Sequence, residues 1–326
     1  MIFLNGSKTI NVVCIVGPTA SGKTALGVSV SKLFGGEVIS ADSMQIYQGM
    51  DVATAKPTYE EMQGVKHHMI GFVPPEKPYS VADYVRDASL AAESVASRNK
   101  IPVIVGGTGL YIKSLLENIS FSDASCSPEI RREITQLAQN EGIDYMLSYL
   151  GSFDPDSAQR LARERNLKRI IRAVEVYKAT GKTMTELNIE SKRNLSPYSA
   201  VKIGLTCRDR EKLYQRINRR VDIMLENGLV GEAQSMYERS KLSTCAQAIG
   251  CKELFPYFKG EKTLEECVET LKMQTRRYAK RQLTWFRRDE EINWIFTDEY
   301  ENYEAVAKKA ADILVQRGYK CLNRNF

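Results

Sequence analysis

Long apolar runs are missing from this chain: none approaches the ~18–20 residues that a helix needs to span a bilayer. A helical membrane span is therefore excluded. Histidine is scarce, with only His67 and His68, and the seven cysteines form no C-x-x-C pair. A structural zinc site is therefore unsupported. Cys14 and Cys207 lie in apolar runs and read as small core residues of a protein in a reducing compartment, so a cytoplasmic location is expected. The amino-terminal MIFLNGSKTI has no basic leader and no long apolar segment, so no secretory signal is expected. There is no internal repeat and no low-complexity tract.

What is present suits a globular protein of about two domains. Hydrophobic residues make up 43% of the 326, enough for a sizeable core. The net charge of +6 is modest but unevenly spread. Arg160–Arg172 holds six basic residues against Glu164 alone, and Arg276–Arg288 holds six with no acid. Positive charge concentrated in this way points to a polyanionic partner.

The run NVVCIV, residues 11–16, is apolar and stops at Gly17, which predicts a buried strand feeding a loop. A helical pattern follows to Leu33, then a second strand, EVIS, leads to Asp42. Ser80–Arg98 reads as a helix, with Ser80 as N-cap and Asp83 in its capping-box position. A third strand, IPVIVGG, runs from Ile101 to Gly107. Alternating strands and helices predict a parallel α/β sheet. Residues 128–192 contain no convincing strand and show helical periodicity, so residues 117–198 read as an all-helical insertion. Strand pattern returns at Ser199–Cys207 and again at Ile292–Phe296, with helices from Arg210 onward. The catalytic domain is thus expected to comprise residues 1–116 and 199–326.

The stretch from Gly17 to Thr24, GPTASGKT, fits G-x-x-x-x-G-K-[ST] at every position. Gly17 and Gly22 let the backbone curl around an anion, and Pro18, Thr19, Ala20 and Ser21 supply the intervening turn. Lys23 reaches phosphoryl oxygens, and the Thr24 hydroxyl is the candidate ligand for Mg²⁺. Nucleotide-hydrolysing enzymes with this loop place a carboxylate at the end of another strand. Here the strand from Ile101 ends in GGTG instead, and the nearest carboxylate is Asp42. The strand leading to Asp42 follows the loop's helix and is expected beside the first strand. Asp42 at the sheet's carboxyl edge is either a general base or a turn-former that caps the next segment. A small-molecule or nucleoside kinase would share this much.

ADSMQIYQGMDVATAKP (Ala41–Pro57) narrows the choice. Together with GPTASGKT, HHMIGFVPPEKPYSVADYVRDA (His67–Ala88), VGGTGLY (Val105–Tyr111) and TRRYAKRQLTWFRR (Thr275–Arg288), it resembles the tRNA dimethylallyltransferase (tRNA isopentenyltransferase) family of bacterial type. The resemblance runs from about Asn11 to Trp294 and implies a P-loop NTPase-like sheet flanked by helices, with a helical insertion that contacts tRNA. It implies transfer of a dimethylallyl group from dimethylallyl diphosphate to N6 of the adenosine 3′-adjacent to the anticodon, in tRNAs that read codons beginning with U. The phosphate loop, for which such proteins are often labelled ATP-binding, would grip the donor's diphosphate with Mg²⁺. The implied partners are the tRNA anticodon stem-loop and the donor, and a monomer is expected.

Carried over by position, the resemblance makes Asp42 the general base and Asp42, Ser43, Met44 and Gln45 contacts to the target nucleotide. Thr108, Arg131, and Lys168, Arg169, Ile170, Ile171 and Arg172 become tRNA contacts. Gln48, Gly71 and the ERNLKR run depart from the common pattern but take away no residue of the implied chemistry. Arg216 and Arg220 are candidates for steadying the departing diphosphate, the alternative being a solvated basic helix face. Gln45 has a donor and an acceptor with which to read an adenine edge. Arg277 and Arg281 suit an RNA backbone, while Trp285 reads as a packing residue. Two further readings compete: an RNA-binding protein with a vestigial loop, and prenylation of free adenosine phosphates. Intact Lys23, Thr24 and Asp42 oppose the first, and the long basic helical half opposes the second.

Overall fold

A computed structural model describes residues 3–4, 7–119, 128–193, 195–240 and 244–322. It divides into two compact units, Met1–Leu116 with Pro197–Phe326, and Glu117–Ser196.

In the first unit the apolar run at the amino end forms β1 (Ile10–Val16). Val12–Val16 are buried on both sides, as a strand covered by helices on both faces must be. Val12, Cys14 and Val16 belong to one core layer, Val13 and Ile15 to the other. The sheet continues with β2 (Gly36–Ser40), β3 (His67–His68), β4 (Ile101–Gly106), β5 (Tyr198–Thr206) and β6 (Asn293–Phe296). All pairs are parallel, in the order β3-β2-β4-β1-β5-β6.

One expectation is corrected here. β2 does not lie beside β1, because β4 is inserted between them. Strands consecutive in sequence are neighbours only about two-thirds of the time. The apolar β4, buried along Pro102–Gly106, suits the more central place. Asp42 therefore sits one strand further from the phosphate loop, still at the carboxyl edge.

On one face lie α2 (Val81–Ser97), through Tyr84, Ala88 and Ala92, and α3 (Gly109–Leu116), through Tyr111, Ile112 and Leu115. Ser80 caps α2 in a full capping box with Asp83. On the other face lie α1 (Lys23–Phe34) and the last helix, Tyr303–Gln316. A third core joins the loop after β2, through Ile46, Tyr47 and Met50, to residues of the helical region near the carboxyl end. That core includes Val221, Leu229, Ala233 and Leu271.

The second unit is helical wherever it carries regular structure among the described residues: α4 (Pro128–Gly151), α5 (Pro155–Glu164), α6 (Leu167–Thr180) and α7 (Met184–Arg193). Gly142, at φ 78° and ψ 179°, breaks α4 into two segments. Its core is built on Ile134, Met146, Leu150, Leu161, Ile170 and Val174.

The first unit also carries the long helices α8 (Arg210–Glu226), α9 (Leu229–Ser240) and α10 (Leu264–Phe286), besides short helical turns such as Tyr59–Met62 and Phe255–Phe258. The carboxyl-terminal helix (Tyr303–Gln316) is α11.

Candidate active site

The phosphate loop leaves β1 at Val16, which is flanked in register by Gly106 of β4 and Gly204 of β5. Gly17 is obligatory: at φ +147° its added Cβ would lie 2.2 Å from the Leu205 carbonyl oxygen. α1 begins at Lys23 after Gly22 in the left-handed region, and no side chain caps it. Its first N–H groups are left for an anion. The Ser21 hydroxyl is buried in the loop without a hydrogen-bond partner, a group that a ligand oxygen would satisfy.

The Lys23 ammonium donates to the Pro18 carbonyl at 2.6 Å. Burial pushes its pKa down to about 7, the nearby Arg220 cation adds to the fall, and the Asp42 carboxylate opposes it. Burial likewise lowers Arg220 below the ordinary arginine value, again against the pull of Asp42. Lys23, Arg220 and Asp42 therefore share one electrostatic neighbourhood. Arg216, one turn earlier on α8, donates instead to the Thr297 hydroxyl at 2.7 Å.

Asp42 follows β2 directly. Its Oδ1 accepts the N–H groups of Met44 at 2.9 Å and Gln45 at 3.3 Å, so the turn-forming role is real. Oδ2 takes no part in those two bonds, so the turn and a base function are compatible. Thr108, just past β4, accepts the Ser43 N–H on its hydroxyl at 3.0 Å. Its own N–H bonds the Ala41 carbonyl at 3.1 Å. The Gln45 amide is engaged within the protein. Oε1 accepts from Ser40, and Nε2 donates to the carbonyls of Thr54 and Ala55. One acceptor lone pair on Oε1 remains for a base edge.

Sequence reasoning missed three supports of this arrangement. Gln282 of α10 accepts the Thr19 N–H at 2.9 Å and donates to the Gly107 carbonyl at 3.1 Å. Its signal was a glutamine on the helix's buried stripe, between Ala279 and Phe286. Tyr278, one turn earlier, lies beside Thr108, Gln282 and Asp42, and burial together with the Asp42 charge raises its pKa. Glu232 of α9 accepts three consecutive N–H groups, those of Asp51, Val52 and Ala53, each at 2.8 Å. Nothing local in the sequence marks that last pairing, since the partners lie about 180 residues apart.

The exposed Arg281 stands over the Tyr278 ring at 5.6 Å from its centroid, and Arg277 is exposed one turn away. Trp285 packs against Gly109, where a Cβ would come within 2.1 Å of the indole. In the second unit Arg131 and Arg172 both reach the buried Glu175, Arg131 at 2.7 Å. Lys168 and Arg169 are exposed. Ile170 is a correction. It is 0% exposed in the unit's core, so its side chain packs against helices and presents nothing to RNA. Arg165 and Asn166 form the α5–α6 junction, where the Asn166 side chain caps α6.

A family model described as IPP transferase matches residues 45–289, and one described as isopentenyl transferase matches residues 10–72. The tRNA dimethylallyltransferase of Bacillus subtilis is 46% identical over 285 residues, covering 87% of this chain and 90% of that one. The chain belongs to the tRNA dimethylallyltransferase family. The Acetivibrio thermocellus member is also 46% identical, over 91% of this chain and 95% of that one. The structure of the family member from Bacillus halodurans, a tRNA isopentenylpyrophosphate transferase, matches at a TM-score of 0.70 and 40% identity, covering 94% and 96% of the two chains. A eukaryotic dimethylallyltransferase solved acting on tRNA matches at a TM-score of 0.81 and 28% identity, covering 97% of this chain and 82% of that one.

Proposed function

We propose that the protein transfers the dimethylallyl group of dimethylallyl diphosphate to N6 of the adenosine 3′-adjacent to the anticodon, in tRNAs reading codons that begin with U. Diphosphate is released. The observation that carries this reading is a shared sheet edge: the phosphate loop, Arg220, Asp42 and Thr108 converge there, and β4 ends in glycines where a hydrolase would place a carboxylate.

The allylic C–O bond breaks with its electron pair leaving on the diphosphate. Loop N–H groups, Lys23 and Arg220 stabilise that charge, in a site where preorganised donors count for most. The N6 lone pair attacks the allylic carbon, and Asp42 takes the N6 proton through the oxygen not committed to the turn. Such a base contributes ~10²–10⁴-fold. Among the described residues no cluster of three or more His, Cys, Asp or Glu could hold a metal. A cation would therefore be held by the Thr24 hydroxyl, diphosphate oxygens and water, the ligation that Mg²⁺ prefers. When bound it would neutralise charge on the leaving group.

The acceptor base must be unstacked to reach Asp42. Ser43, Met44, Gln45 and Thr108 line its approach, and Arg277 and Arg281 meet the backbone. Arg131, Lys168, Arg169 and Arg172 of the helical unit supply further phosphate contacts. A cytoplasmic monomer completes the reading; no helix among the described residues is long and apolar enough to cross a membrane.

Incubation with labelled dimethylallyl diphosphate, Mg²⁺ and either unmodified tRNA or AMP tests it. Label in tRNA is the expected result. Label in AMP alone, or γ-phosphate transfer from ATP without prenylation, overturns it.

A further inference from the structure

Gln282 is a polar side chain on the buried stripe of α10, 6% exposed, and both ends of its amide are used. One end holds the Thr19 N–H of the phosphate loop. The other holds the Gly107 carbonyl, next to Thr108. Thr108 in turn bonds Ala41 and Ser43, the two residues that flank Asp42. Hydrogen bonds in series thus run from the loop that grips the leaving group to the residue that receives the acceptor's proton. The local sequence accommodates this: a Cβ on Gly107 would lie 2.1 Å from the Gln282 amide nitrogen.

We propose that Gln282 is a positioning residue that couples the diphosphate loop to the Asp42 side of the site and so sets the distance between the ionising carbon and the acceptor nitrogen. This rests on the prenyl-transfer reading above. The physical need is specific to that chemistry. An allylic carbon whose C–O bond has opened reacts with whatever nucleophile is nearest. If N6 is not in place, water's oxygen bonds the same carbon and releases a proton, giving dimethylallyl alcohol and diphosphate instead of modified tRNA. A rigid link between the donor-gripping and acceptor-holding parts suppresses that leak. An amide is suited to the task because one planar group accepts from one side and donates to the other. Carried on a long packed helix, it is held more precisely than by a loop.

The test is the ratio of dimethylallyl alcohol to prenylated tRNA, measured with labelled donor and saturating tRNA. Gln282→Met keeps length and volume and loses both bonds. Gln282→Glu keeps an acceptor for Thr19 and repels the Gly107 carbonyl. Gly107→Ala leaves Gln282 intact and displaces its amide from the other side. Misplacement by about 1 Å costs on the order of 10²-fold in rate. Accordingly, the alcohol-to-transfer ratio should rise about tenfold or more in Gln282→Met, less in Gln282→Glu, and also in Gly107→Ala. The tRNA Kd should stay within about twofold of wild type.

A merely structural role would lower the active fraction and leave the ratio unchanged, and that result overturns the proposal. Loss of the folded state in all three variants, seen by circular dichroism, also overturns it in favour of a packing role. Failure of the wild-type protein to prenylate tRNA would instead strike the functional reading itself, so the two failures are distinguishable.

Discussion

The Thr108 hydroxyl oxygen accepts the backbone N–H of Ser43 at 3.0 Å, across the carboxyl ends of two adjacent parallel strands. This bond fastens the turn that carries Asp42 to the end of β4. A residue read from sequence as an RNA contact is thus first a clamp on the candidate base.

Asp42 has two separable duties. Asp42→Asn keeps an oxygen to accept from Met44 and Gln45 but cannot take a proton. It should cut turnover by at least ~10²-fold with an unchanged melting temperature. Asp42→Ala also loses the turn, which costs on the order of 1 kcal/mol by analogy with helix caps. Single-turnover prenylation and thermal melts check the pair, and near-normal turnover in Asp42→Asn would remove Asp42 from the base role.

Lys23 links donor binding to pH. Burial lowers its pKa to about 7. A bound diphosphate favours the charged form and raises it. Below about pH 7 the lysine is already protonated and binding needs no proton. Above it, binding takes up a proton, so the donor Kd should rise between pH 7 and 9 by up to about tenfold per unit. Calorimetry in two buffers of different ionisation enthalpy should detect that uptake; none at pH 8 would refute the assignment.

Glu232 holds three N–H groups in the loop that runs on from Asp42. Glu232→Ala should expose them and cost on the order of 2 kcal/mol. Hydrogen exchange at Asp51, Val52 and Ala53 should accelerate at least tenfold, with Glu232→Gln in between. Unchanged exchange would show that the loop is held by its apolar contacts alone.

Glu37 is buried with His68, Arg98 and Lys100 around it. Burial pushes its pKa up, but the hydrogen bonds from Lys100 and His68 and the charges of Lys100 and Arg98 prevail and hold it at about 2. A carboxyl depressed on folding stabilises the fold above its unfolded pKa and loses that contribution as pH falls toward 2. Glu37→Gln should therefore cost about 2–3 kcal/mol at pH 7 and much less at pH 3, as read by urea unfolding.

Arg277 and Arg281 are exposed and belong to the basic run on α10. Replacing either with Ala should weaken tRNA binding and reduce the slope of log K against log salt by about 1, because each phosphate contact releases about one counterion. A weaker affinity with an unchanged slope would assign them to packing.

Some elements were legible in one dimension because their causes are local. GPTASGKT, the continuous apolar run of β1 and the Ser80–Asp83 capping box depend on residues a few positions apart. The two-residue β3 is too short to show a period, and the place of β4 between β1 and β2 depends on crossover paths that no local pattern records. Ile170 shows the same limit at the site. It belongs to a basic run, but only the packed helices reveal that its side chain faces inward.

The sequence by itself determined the phosphate loop, the identity of the candidate base and the α/β character, because backbone curvature, side-chain chemistry and hydrophobic period are written in neighbouring residues. Only the tertiary structure decided what surrounds that loop. Gln282 against Thr19 and Gly107, Glu232 against Asp51–Ala53, and Arg220 beside Lys23 and Asp42 join residues far apart in the chain. Such pairings come into being when the helices near the carboxyl end bury their apolar faces against the sheet edge and the loop after β2.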